Sequence, residues 1–252
     1  MGDLLKWCAQ QRIAYKVVGK EDLLALTDTP HHDGICLLAR LLPTPTLDDV
    51  LRAADDDAAP LVLLEDVKNP HNLGAILRVC AHFGVRAVLA AGETPELSPA
   101  AMRTAEGGAE HVRVVHVGDG KSALRRLKEK GFAVVATSSH VEHSLTDTRL
   151  PARAVLLFGS ESDGLSRALS SMADAHVQIP GSGALESLNV ACASSVLLWE
   201  HWRAHARGPT GAPTKKKVVV TGSAVVDAPD GERRRRSSGS TRGAGGPPRR
   251  RR

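Results

Sequence analysis

Six short, continuous apolar runs constrain the fold of this chain more than any other feature: 61–64 LVLL, 86–91 RAVLAA, 112–117 VRVVHV, 132–136 FAVVA, 154–158 AVLLF and 176–179 HVQI. Short runs of this kind are what strands buried on both faces require. Helical segments fall between most of them. The alternation predicts an α/β domain with a parallel sheet and helices on both faces. Ligands in such sheets bind beyond the carboxyl ends of the strands.

The flanks read differently. Residues 1–42 look like a small separate α/β unit, with a helix then a strand in LLKWCAQQRIAYKVV, a short helix in KEDLLALT and a strand in GICLLARLL. The acidic, proline-flanked stretch PTPTLDDVLRAADDDAAP, residues 43–60, reads as a linker holding a short helix around Leu47 to Ala53. The main domain then covers 61–207. The net charge of +5 is uneven: from Gly208 onward there are 12 Lys and Arg against 3 Asp and Glu, whereas residues 1–207 carry 21 against 25. Set among Gly, Pro, Ser and Ala, the basic runs of 208–252 predict a disordered tail, either an arm that holds polyanions by releasing counterions or a solubilising tail with no dedicated partner. Cys8, Cys36, Cys80 and Cys192 lie far apart with no C-x-x-C pair, which argues against a disulfide framework or a zinc site and for a reducing compartment. No apolar run approaches the roughly 20 residues of a membrane span and no signal-peptide pattern opens the chain, so no membrane partner and a cytoplasmic location are expected.

Three polar loops follow strand ends. In NPHNLGAILRVCAHFG, residues 69–84, Leu73, Ile76, Leu77 and Cys80 form the apolar stripe of a helix. Asn69 before Pro70, or Asn72, is its expected N-cap and Gly84 its stop. Arg78 lies about 140° around that helix from Leu73, off the stripe. With Gly74 four residues earlier, its side chain either lies across bare backbone toward Asn72, at a helix N-terminus that favours anions, or is simply solvated. In LLFGSESDG, Gly159 and Gly164 permit close approach of a ligand to main chain, and Glu161 is either a helix cap or a reacting carboxylate. In IPGSGALESLNVACA a glycine-rich loop leads to a helix opening with Ser187, Leu188 and Asn189. The three loops are expected to share one crevice.

Taken in order, these three stretches resemble the motifs of the SpoU (TrmH-like) family of RNA ribose 2′-O-methyltransferases, within the SPOUT superfamily, over residues 61–206. The resemblance implies a C-terminal trefoil knot, one of the rare exceptions to unknotted chains, and S-adenosylmethionine as cofactor, with no metal. It also implies tRNA or rRNA as the RNA partner. Carried over by position, Gly159, Ile179 and Leu188 would meet the cofactor largely through main chain, with Gly164 in the same loop as Gly159. Asn72, Arg78, Glu161, Ser187 and Asn189 would surround the reacting atoms. Gly181 stands where the family usually has Met, and Ala191 and Cys192 where Ser and an aliphatic residue are common. Residues 1–42 resemble the second half of an L30e-like RNA-binding domain, incomplete without its first strand and helix, so a truncated start is expected. HHDGICLL and RTAEGGAEH, the latter Arg103 to His111, further resemble a subgroup described only as tRNA/rRNA methyltransferases. The last helix implies a homodimer interface, which Trp199 and Trp202 could serve, although such a pair more often belongs to a core.

A ribose 2′-oxygen must lose its proton to attack a methyl group, and guanidinium holds its own proton above pH 12. Arg78 therefore suits clamping the adjacent phosphate and stabilising the developing alkoxide, leaving the proton to water or a phosphate oxygen. His71, beside Asn72, is a weaker candidate base. Aromatics make up 3% of the chain, too few for a base-stacking platform. Two alternatives stand: a non-catalytic RNA-binding protein on the same fold, and another nucleotide-binding α/β enzyme. The second predicts G-x-G-x-x-G or G-x-x-x-x-G-K-[ST] after the first strand of the main domain, and neither occurs there.

Overall fold

The computed structural model describes residues 2–30, 32–39, 44–53, 59–138, 141, 143–205 and 222–227. They fall into two compact units, one from 43–211 and one combining 1–42 with 212–252.

The larger unit is built on a six-stranded, wholly parallel sheet of β3 (Leu61–Glu65), β4 (Ala87–Ala91), β5 (Arg113–Val117), β6 (Ala133–Thr137), β7 (Ala154–Phe158) and β8 (Ala175–Val177), in the order β5-β4-β3-β7-β6-β8. All six lie on the expected apolar runs. β3 is central, pairing Val62 with Val88 on one side and with Leu156 on the other. Alternate residues serve two cores. Val62, Leu64, Val88, Ala90, Leu156 and Phe158 pack with α4 (Pro70–His82), α5 (Pro99–Ala105) and α8 (Val190–His205). Leu61, Leu63, Leu89, Val155 and Leu157 face α3 (Leu47–Ala53), α6 (Gly120–Glu129) and α7 (Arg167–Ser170). The helices thus cover both faces of the sheet, each burying one stripe.

The expected helix α3 is present, but its segment is no mere linker. The Thr46 amide donates to the Asp49 carboxylate at 2.8 Å and the Asp49 amide to the Thr46 hydroxyl at 3.3 Å, a reciprocal cap at the helix start. Val50 and Leu51 are buried in the second core, so the apolar side of an acidic helix ties 44–53 to the larger unit.

The smaller unit contains α1 (Gly2–Gln10), β1 (Tyr15–Val18), α2 (Lys20–Thr27) and β2 (Ile35–Ala39), as the sequence pattern predicts. The expectation of a disordered tail is corrected at 222–227. There GSAVVD forms β9 (Gly222–Asp227), parallel to β1 and antiparallel to β2. Composition around the segment argues against a self-supporting fold, but a strand flanked on both sides satisfies its backbone groups with neighbours already in place. The rest of 208–252, including the arginine runs, lies outside the described residues.

Candidate active site

The three polar loops meet through side chains. β3 ends at Glu65, and Asn69 caps α4, its side chain accepting from the His71 amide at 2.9 Å with Pro70 at the first helical position. This frees Asn72, the other expected cap, to face the neighbouring loops. Its Nδ2 donates to Glu161 Oε1, and its Oδ1 accepts from Asn189 Nδ2 at 3.1 Å. Asn189 in turn caps α8, its Oδ1 accepting from the amides of Ala191 at 2.9 Å and Cys192 at 3.4 Å. A single amide at the mouth of α4 thereby joins the loop after β7 to the loop after β8.

Glu161 is therefore not a cap. Ser166 caps α7, accepting from the Leu169 amide, and Glu65 Oε2 accepts from the Ser166 amide at 2.8 Å, fixing this loop against the end of β3. Gly159 and Gly164 close the loop on itself: Ser160 and Gly164 exchange backbone hydrogen bonds of 3.2 and 3.1 Å, and Gly164 has φ +66°. A Cβ at Gly159 would collide with the Gly164 carbonyl. The close approach that Gly159 permits includes that of its own loop.

Ser187 and Leu188 lie in the coil before α8 rather than in its first turn, because the helix begins at Val190 with Asn189 as cap. Both are exposed, Leu188 at 51%. Ile179 is half-buried and packs on the first core.

Arg78 departs most from expectation. Gly74 is buried, and a Cβ there would lie 2.7 Å from the Thr104 Cβ and collide with the Ala101 carbonyl. The bare backbone at Gly74 is filled by α5 and offers no track toward Asn72. The Arg78 guanidinium instead pairs with Glu106 at 2.8 Å, both side chains remaining largely exposed. Glu106 ends α5 in the left-handed region at φ +44°, Gly107 follows at +87°, and a Cβ on Gly108 would lie 2.8 Å from the Arg78 Cα. His71 Nδ1 lies 3.1 Å from the Thr104 hydroxyl, which donates to the Ala100 carbonyl. His71 and Arg78 are thus both engaged by residues 104–106. Sequence reasoning singled out RTAEGGAEH but gave Thr104 and Glu106 no role. The signal lay in Gly107 and Gly108, small residues where one backbone crosses another.

On α8, Trp199 is 50% exposed and stacks on Trp202 at 5.5 Å between ring centroids, with Phe83 at 6.4 Å from Trp199. The core assignment of this pair is corrected for Trp199. Among the described residues no cluster of His, Cys, Asp or Glu could hold a metal, and no helix is long and apolar enough to cross a membrane.

Residues 59–199 match the model of the SpoU rRNA Methylase family. The chain is 40% identical over 202 residues to an uncharacterized tRNA/rRNA methyltransferase of Escherichia coli O157:H7, covering 80% of this chain and 58% of that protein, so it spans little more than half of that relative's length. It is 34% identical to the 23S rRNA (guanosine-2′-O-)-methyltransferase RlmB of Nitrosomonas europaea, over 75% of this chain and 73% of that one. A solved AdoMet-bound rRNA methyltransferase from Sinorhizobium meliloti superposes with a TM-score of 0.56 at 28% identity, covering 63% of this chain and 60% of that structure. With the family model matched over more than half of the chain and the parallel sheet in agreement with the solved structure, the chain belongs to the SpoU rRNA Methylase family.

Proposed function

We propose that this protein is an S-adenosylmethionine-dependent methyltransferase acting on a ribose 2′-hydroxyl of tRNA or rRNA. The observation that carries the reading is the Glu161–Asn72–Asn189 hydrogen-bond chain, which draws three motif loops together beyond the strand ends, where parallel sheets bind ligands. The coil 178–189 suits the cofactor. It presents exposed main chain, the exposed apolar side chains of Leu185 and Leu188, and half-buried Ile179, a mixture that fits a flat purine with a polar rim. When bound, S-adenosylmethionine supplies a methyl group on a sulfonium.

The chain's own residues orient and stabilise. Asn189 fixes the start of α8, Asn72 fixes Glu161, and exposed Ser187 comes two residues before Asn189 in the coil, so the reacting oxygen is met by polar groups already in position. Arg78 binds the phosphate next to the reactive ribose and stabilises the alkoxide, and the proton leaves to water or a phosphate oxygen. We extend the proposal to a trefoil knot formed by the C-terminal part of the larger unit, an L30e-like smaller unit, a cytoplasmic location, and a homodimer through α8. Exposed Trp199, stacked on half-buried Trp202 and near half-buried Phe83, supports the dimer, and Trp199→Glu is expected to sediment as a monomer.

The test is transfer of radiolabelled methyl from S-adenosylmethionine to RNA lacking ribose methylation, followed by mapping of the modified position. Arg78→Ala is expected to lower transfer by about 100-fold, the scale of removing one stabilising donor to a developing oxyanion. Absence of both transfer and cofactor binding in the wild type would sink the reading and favour an RNA-binding protein on this fold.

A further inference from the structure

Arg78 is the one cation assigned to the substrate phosphate, and it is not free. Its guanidinium meets Glu106, Nη1 lying 2.8 Å from Oε1, with side chains 56% and 62% exposed. The segment that carries Glu106 is fixed on α4 with little slack. Gly74 admits α5 against the helix, Gly108 meets the Arg78 Cα, and His71 meets Thr104. Two consecutive residues with positive φ, Glu106 and Gly107, turn the chain so that the carboxylate is presented to Arg78. A rigidly mounted carboxylate holding a solvent-facing guanidinium is displaceable, because exposed pairs of this kind contribute little. Guanidinium has five donors, and a phosphate offers it a stronger, bidentate partner.

We propose that Glu106 is a positioning residue that gates Arg78, occupying the guanidinium until an RNA phosphate displaces it, so that Arg78 engages only where backbone phosphate is correctly placed. This rests on the reading of Arg78 as the phosphate clamp. Salt weakens phosphate binding by keeping counterions on the RNA, and it also screens the Glu106 contact that phosphate must displace, so in the wild type the second effect offsets part of the first. Without the carboxylate that offset is lost and the salt dependence steepens.

The experiment is a double-mutant cycle on the full chain, with binding of a labelled oligouridine measured across salt concentrations for wild type, Glu106→Gln, Arg78→Ala and the double variant. Glu106→Gln is expected to bind about two- to fivefold tighter at low salt, from the usual strength of an exposed pair. Its slope of log affinity against log salt is expected to steepen, by less than the roughly 0.7 that a whole phosphate contact contributes on a single strand. The double variant is expected to match Arg78→Ala. Glu106→Asn, whose side chain tolerates left-handed backbone, serves as the second variant with the same expectation. Tightening that persists without Arg78, or no tightening in either Glu106 variant, overturns the gate. Failure of the functional reading looks different: the wild type moves no methyl to RNA, while the binding cycle still behaves as expected.

Discussion

At the residue scale, Asn72 shows why an amide and not an acid stands at the mouth of α4. It uses both ends of its side chain, donating to Glu161 and accepting from Asn189. Aspartate would keep the acceptor, lose the donor and set one carboxylate against another. Asn72→Asp is predicted to lower stability by about 1 kcal/mol, the scale of one hydrogen bond lost with its partner left unsatisfied. Adding Glu161→Gln restores a donor across the same gap, and the double variant should regain at least half of that loss in urea unfolding. A double variant no more stable than Asn72→Asp would show that the contact contributes nothing. The amides themselves were legible in the sequence, but which of them caps α4 was not: Asn69 and Asn72 both satisfy the pattern, and only the loops around Asn72 decide between them.

At the scale of elements, the close contact of α4 with α5 depends on Gly74. A methyl group there meets the backbone of Ala101, which cannot rotate away, and the Thr104 Cβ at 2.7 Å. Gly84, at the end of the same helix, has φ +78° and nothing within 4 Å of a Cβ, so alanine there meets only conformational strain. Gly84→Ala is predicted to cost about 1 kcal/mol and Gly74→Ala about 3 kcal/mol, at the upper end of overpacking costs. Equal losses in thermal unfolding would show that α5 moves aside freely. The same glycine marks the limit of sequence reading. A helical glycine before an arginine is compatible with open backbone under the side chain or with a neighbouring helix, and the helix period cannot distinguish them. The strands were legible because burial on both faces demands continuous apolar residues, whereas their order depends on which helix covers which face. α3 was legible through its local cap, but its membership of the larger unit rests on Val50 and Leu51 reaching a core assembled from distant strands. β9 was not legible, since its pairing partners lie at the other end of the chain. Glu106 was missed for the same reason: its meaning is a tertiary contact with another helix.

At the scale of the whole larger unit, α8 links the site to the sheet. Its first residues are capped by Asn189, which also holds Asn72, and its last turns are fastened to the segment entering β7. There His201 Nε2 lies 3.0 Å from the Ala152 carbonyl and His205 Nε2 lies 2.7 Å from the Leu150 carbonyl, with the rings 4.8 Å apart. A ring nitrogen facing a carbonyl must donate, so each Nε2 carries a proton. Burial holds the His201 pKa below its ordinary 6.5, and His205 pushes it the same way, against the hydrogen bond to Ala152. Because the folded pKa is the lower one, the unfolded chain binds the extra proton first as pH falls. The contribution of His201 is therefore fully present above about pH 6.5, the ordinary value, and is lost as pH drops from there through the depressed folded value. Thermal midpoints are expected to be level from pH 8 to pH 7 and to fall below pH 6.5. His201→Gln, which keeps a donor but cannot titrate, should start with a lower midpoint from lost packing and then decline less steeply over the same range. A variant whose decline parallels that of the wild type would place the acid sensitivity elsewhere and leave α8 anchored independently of its histidines.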